Sequence, residues 1–154
     1  MSHEDAGHYK NKHPLGSEPD AALAEILRKK MTPEGLPCVV AFEIAVEEAV
    51  SPFEVGRAAD LLEVPITKCQ LGLFGYKPQK RIVKPAEQVS DELREAISQG
   101  LENERLPCRT AWAIAEKLHL PKMAVSSACE SLKIKIGPCQ LGSFSRSVLD
   151  QPSL

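Results

Sequence analysis

Five cysteines are the residues of this chain best suited to chemistry, and four of them form two matched pairs. Cys38 and Cys69 stand 31 residues apart, and so do Cys108 and Cys139. A thiolate is a soft ligand for zinc or iron and a nucleophile toward oxidants. Structural zinc usually draws on close pairs such as C-x2-C, because one turn then presents two thiolates together. The sequence has no such pair, so the spacing predicts buried thiols packing as small hydrophobes. No metal site and no cofactor are expected, for Cys129 least of all. His3, His8 and His13 recur every five residues, a spacing that does not stack on one helix face, and they read as part of a polar leader. The chain has no Gly-rich phosphate loop, no H-E-x-x-H and no G-x-S-x-G, so no enzyme activity is expected.

The cysteine pairs belong to a larger repetition. Leu36-Pro37-Cys38 returns as Leu106-Pro107-Cys108, and Cys69-Gln70-Leu71-Gly72 returns as Cys139-Gln140-Leu141-Gly142. Ala41, Ile44 and Ala45 return as Ala111, Ile114 and Ala115, and Val55, Ala58 and Leu62 as Val125, Ala128 and Leu132. Every match lies at an offset of 70 without a gap, so the chain is a duplication. The boundaries that follow are a polar arm at 1–19, a first unit at 20–76, a basic linker at 77–90, a second unit at 91–147 and a tail at 148–154. The arm and tail read as extended or mobile.

Each unit has the same expected plan. A first helix covers Asp20 to Met31, and Asp91 to Glu102 in the second copy, with Leu23, Ile26 and Leu27 on one face. A second helix opens at Pro37 or Pro107, where a missing N–H is harmless. A third opens at the capping box Ser51-Pro52-Phe53-Glu54. A short β-branched segment, Val64 to Thr67 or Ile134 to Ile136, precedes the Cys-Gln-Leu-Gly turn. The expected cores are Leu23, Leu27, Ala41, Ile44, Val55, Ala58, Leu62, Ile66, Leu71 and Phe74, with their partners 70 residues on. Phe42 and Trp112 occupy equivalent positions and are expected to anchor helices or repeats to each other.

The second copy carries the run Ala111-Trp112-Ala113-Ile114-Ala115-Glu116-Lys117-Leu118, then a tight connection, then Val125 and Leu132. Small residues where two helices cross steeply, with a Val and a Leu closing the angle, resemble the winged helix-turn-helix class of bacterial regulators. The paired Leu-Pro-Cys and Cys-Gln-Leu-Gly motifs look like the signature of a small bacterial family within it. The resemblance implies a mainly α fold of two three-helix units with short β segments. It also implies double-stranded DNA as partner, with the third helix of a unit in the major groove. No clear second strand follows Gly72 or Gly142, so the wing is expected to be rudimentary.

Charge separates the copies. Leu23 to Tyr76 holds five basic and eight acidic residues, and Leu93 to Arg146 holds eight basic and five acidic. The second copy is therefore the expected DNA reader, through Lys122, Ser126 and Ser127 on its third helix, flanked by Arg109, Lys133 and Lys135. Lys77, Lys80, Arg81 and Lys84 of the linker are the expected phosphate contacts. The first copy, with Glu54 and Asp60 on the matching helix, would repel phosphate and suits a protein partner or self-association. A protein-interaction adaptor, or a cysteine-based metal or redox sensor, are the alternatives on the same scaffold. No apolar run approaches the roughly 20 residues of a membrane span, and no apolar leader is present, so a cytoplasmic location is expected.

Overall fold

The computed structural model describes residues 9–77 and 80–143. Its order of elements repeats once. The first round is α1 (Ala21–Lys30), β1 (Leu36–Pro37), α2 (Cys38–Glu47), α3 (Pro52–Leu61) and β2 (Ile66–Thr67). The second is α4 (Asp91–Gly100), β3 (Arg105–Leu106), α5 (Cys108–Lys117), α6 (Lys122–Leu132) and β4 (Lys135–Ile136). The protein is mainly helical, as expected.

Local chemistry sets the helix ends. The Asp20 carboxylate accepts from the N–H of Leu23, and the Ser51 and Ser90 hydroxyls accept from Glu54 and Leu93. Each satisfies one of the donors left unpaired in a first helical turn. Pro37, Pro107 and Pro121 cap their helices in extended conformation without a side-chain bond. The chain leaves α2, α3, α5 and α6 through left-handed residues, Ala49, Glu63, His119 and Lys133, with φ of 56°, 58°, 57° and 60°. These also pair at an offset of 70, so the repetition extends to the backbone.

The strands differ from the expected pattern. The segments after α3 and α6 are strands as expected, but each pairs in parallel with a segment preceding α2 or α5: Leu36 with Ile66 and Arg105 with Lys135. Leu36 and Leu106 precede helix-capping prolines and show no alternation, so nothing local marks them as strands.

The largest difference concerns the cores. Leu23, Leu27, Ala41, Ile44, Val55 and Ala58 pack together as expected, but the turn residue that completes this core is Leu141, from the second copy. The core of Leu93, Ile97, Ala111, Ile114, Val125 and Ala128 is completed by Leu71 and Cys69, from the first. The two units exchange their Cys-Gln-Leu-Gly turns. Small units bury too little surface alone, and the exchange gives each a fully buried leucine. Phe42 and Trp112 meet at this junction with ring centroids 4.3 Å apart. Phe144, His3, His8 and the tail at 148–154 lie outside the described residues.

Nor is the whole arm loose. Tyr9–Lys12 form a 3-10 turn, and Tyr9 is buried. Lys12 and His13 reach Asp60 Oδ2 at 3.1 and 2.8 Å. Asp60, expected on the exposed face of α3, is buried beneath this strap.

Candidate functional site

Two features of the junction bear on function: the surface of α6 and the four repeated cysteines. On α6 the expected DNA-contacting residues are largely occupied. Ser126 is fully buried, and its hydroxyl donates to the Leu71 carbonyl at 2.6 Å and to the Met123 carbonyl at 3.1 Å. It cannot reach a base edge in this arrangement, because the exchanged turn lies on it. The Ser127 hydroxyl donates to the Lys84 carbonyl, and the Ala86 N–H donates to the Ser127 carbonyl at 3.0 Å. Lys122 lies over the Trp112 ring, 4.6 Å from its centroid. The linker thus runs along the helix face that sequence reasoning left open.

The linker's cations are divided. Arg81 pairs with Glu130 of α6 at 2.8 Å, and Lys77 pairs with Glu34 at 3.7 Å. Lys80 and Lys84 are exposed. Arg109, expected to flank the recognition helix, holds Glu102 through two contacts of 3.0 and 3.2 Å. Lys133 and Lys135 are exposed near the end of α6. The structure therefore keeps Lys84, Lys133 and Lys135 at the surface around α6 and withdraws Ser126 and Ser127.

The cysteines converge through the exchanged turns. Cys38 opens α2 and Cys108 opens α5, each directly after a capping proline. Cys139 packs against the core that contains Cys38, while Cys69 lies in the core that contains Cys108. Each turn also stays close to its own unit. The Gln140 side-chain amide donates to Cys108 Sγ at 3.4 Å, and the Cys108 N–H donates to the Pro138 carbonyl at 3.1 Å. So all four thiols border one junction, two from each unit. Cys38, Cys69 and Cys108 are buried, and Cys139 is half-buried.

The backbone at Gln70 lies beside Cys38, that at Leu71 and Leu73 beside Cys69, and that at Gln140 beside Cys108, where each lowers the thiol's pKa. Both turns close through a glycine with φ of 76°, Gly72 and Gly142, whose N–H groups donate back to the Cys69 and Cys139 carbonyls. A left-handed glycine makes this compact turn possible without steric cost. Burial pushes the Cys38 thiol up strongly, opposed by the Gln70 backbone and reinforced by Cys69, Cys139 and Cys108. Burial likewise raises Cys108 to about 12, with Cys139 and Cys69 adding to it, and raises Cys69. At neutral pH, without a bound cation, these are neutral thiols. Among the described residues no group of three or more His, Cys, Asp or Glu is spaced to hold a single metal ion.

Sequence reasoning found each cysteine but not their meeting. The available signal was the shared 31-residue spacing together with the offset of 70.

Comparison with known proteins gives no match. No family model, no curated protein and no solved structure matches the chain. No helix among the described residues is long and apolar enough to cross a membrane.

Proposed function

We propose that this protein is a non-enzymatic thiol-centred sensor, built on two winged-helix-like units, in which the state of the cysteines governs what α6 presents. The observation that carries this reading is the position of Leu71. It stands two residues beyond Cys69 in one short turn, and its carbonyl holds the Ser126 hydroxyl of α6. A change at the Cys69 sulfur alters that turn, and the turn forms part of the cover on the helix. The linker begins just beyond the turn, with the Ile82 and Val83 N–H groups donating to the Gly72 carbonyl at 2.9 and 3.2 Å. Movement at the thiols therefore reaches Arg81 and Lys84.

The test couples thiol state to exposure of the linker. Stepwise addition of an organic mercurial to the native protein should accelerate tryptic cleavage after Arg81. Excess dithiol should reverse the effect. Unchanged cleavage after full thiol modification would remove the sensor reading.

Double-stranded DNA remains the second reading for the output. The specific support is the exposure of Lys84, Lys133 and Lys135 around α6. In the covered arrangement these suit phosphate contact, which positions a protein on DNA without reading sequence. Base readout by α6 would require the linker and the Cys69 turn to leave it.

A further inference from the structure

We propose that Cys38, Cys69, Cys108 and Cys139 together hold an iron–sulfur cluster at the junction of the two units. The inference rests on the thiol-centred reading and names its ligand.

Three observations point to this chemistry. The first is the ligand set. Two thiols come from helix starts and two from glycine-closed turns, and the exchange brings each unit's turn cysteine to the core that holds the other unit's helix-start cysteine. Four cysteine thiolates are the usual set for iron–sulfur clusters, and soft sulfur ligands select such centres over hard cations.

The second is the placement. The Cys108 N–H donates to the carbonyl of Pro138, the residue before Cys139, at 3.1 Å, and Cys139 packs in turn against the core that holds Cys38. Among the described residues no three of these side chains form a single-ion site, so a lone zinc, which bonds thiolate sulfur at about 2.3 Å in a tetrahedron, is not the group proposed.

The third is the hydrogen bonding. The Gln140 side-chain amide donates to Cys108 Sγ at 3.4 Å, and the turn backbone at Gln70, Leu71 and Leu73 lies beside Cys38 and Cys69. An N–H···S bond to a neutral thiol contributes little. The same bond to a thiolate on a cluster is charge-assisted, and such bonds to sulfur set cluster potential. Burial of neutral thiols does not oppose ligation, since a bound cation deprotonates a coordinating thiol outright. Each cysteine loses one proton to solvent as it binds, and no electron is transferred when ferrous and ferric iron are supplied together with sulfide. Cys129 lies on α6, buried beside Glu130, and takes no part.

The experiment is anaerobic reconstitution of the full chain with equal ferrous and ferric iron and sodium sulfide, followed by desalting. The expected product shows broad visible sulfur-to-iron absorption, with iron and acid-labile sulfide in equal amounts. Cys129→Ser should reconstitute like the wild type. Cys139→Ser, at the half-buried position where folding is least at risk, should retain the helical circular dichroism and lose most of the absorption. Cys108→Ser should lose it too. A colourless wild type would overturn the proposal, as would a product holding one zinc per chain. Undiminished absorption in a folded Cys139→Ser would overturn the four-thiol set. A colourless protein whose linker still opens on mercurial addition removes the cluster and leaves the sensor. Failure of both removes the sensor as well.

Discussion

The Ser126 hydroxyl donates to the carbonyl of Leu71 at 2.6 Å, across 55 residues of sequence and from one unit to the other. The equivalent position in the first copy has no hydroxyl. Gly56 occupies the place of Ser126, and the Leu141 carbonyl lies so close that a Cβ on Gly56 would stand 1.7 Å from its oxygen. A second pair of contacts follows the same rule, with Met123 against Gly72 and Phe53 against Gly142. The exchange of turns is thus reciprocal to the residue. One side is held by a hydrogen bond and the other by the absence of a side chain.

Both sides of the exchange are testable by stability. Gly56→Ala drives a methyl into backbone that cannot move aside as a side chain would, so the loss should reach or exceed the roughly 1–3 kcal/mol of ordinary overpacking. Ser126→Ala leaves a buried carbonyl short of a donor and should cost about 1–3 kcal/mol. Urea denaturation reads both. A neutral Gly56→Ala would show that Leu141 does not sit on α3 in solution.

The left-handed helix exits offer a change of opposite sign. Ala49 is exposed and held at φ 56°. A non-glycine residue there carries roughly 1 kcal/mol of strain, so Ala49→Gly should raise stability by about that amount. A lower midpoint in the same urea titration would contradict the assigned exit.

Thiol reactivity should follow burial. Cys139 should react first with iodoacetamide in the native protein at neutral pH. Cys38, Cys69, Cys108 and Cys129 should be slow, because burial keeps them neutral and shielded. Denaturation should make all five react alike. Peptide mass spectrometry of partly labelled protein gives the order, and rapid native labelling of Cys38 or Cys108 would contradict the junction described above.

Asp60 gives a pH dependence of defined sign. Burial raises its carboxyl above the ordinary range, against the opposing pull of Lys12 and His13. Its folded pKa exceeds its unfolded value of about 3.9. The folded state therefore binds the extra proton between the two values, and stability falls as pH rises through that window. The contribution is complete below the unfolded pKa and is lost above the folded one. Wild type minus Asp60→Asn, measured by denaturant titration from acid to neutral pH, should decline in that direction. A difference that grows with pH would mean that Lys12 and His13 outweigh burial.

DNA binding through the exposed cations predicts a salt dependence without sequence dependence. Lys133→Ala with Lys135→Ala should weaken binding to all duplexes alike and lower the salt slope by about one for each lysine that meets a phosphate. Ser126→Ala should leave sequence preference unchanged, since Ser126 faces Leu71. Titration of duplex fragments at two salt concentrations reads both. Binding weaker than the roughly 10⁻⁴ to 10⁻⁶ M of non-specific association, indifferent to the double substitution, would discard DNA as the output.

The duplication, the six helices and most buried positions were legible in the sequence, because they depend on local order. Ser51 caps α3 and Ser90 caps α4 through hydrogen bonds spanning three residues. Leu23 and Leu27 lie on one face because a helix turns every 3.6 residues. The strand before each second helix was not legible, since Leu36 and Leu106 gain strand character from partners about 30 residues away. Nor was the ownership of the cores. Leu71 and Leu141 occupy identical local sequences, and either core could accept either leucine by hydrophobicity alone. Ser126 and Ser127 read as exposed because a helix face looks open until the segment that covers it is known. The linker that covers them is polar and has no periodicity. The same holds for the cysteines: sequence spacing measures reach along the chain, whereas ligation depends on distance in space. The sequence determined most of the apolar residues that are buried and which helices form. Only the tertiary structure decided which unit buries them, because the exchange is set by how the two units pack, and no local rule carries that information.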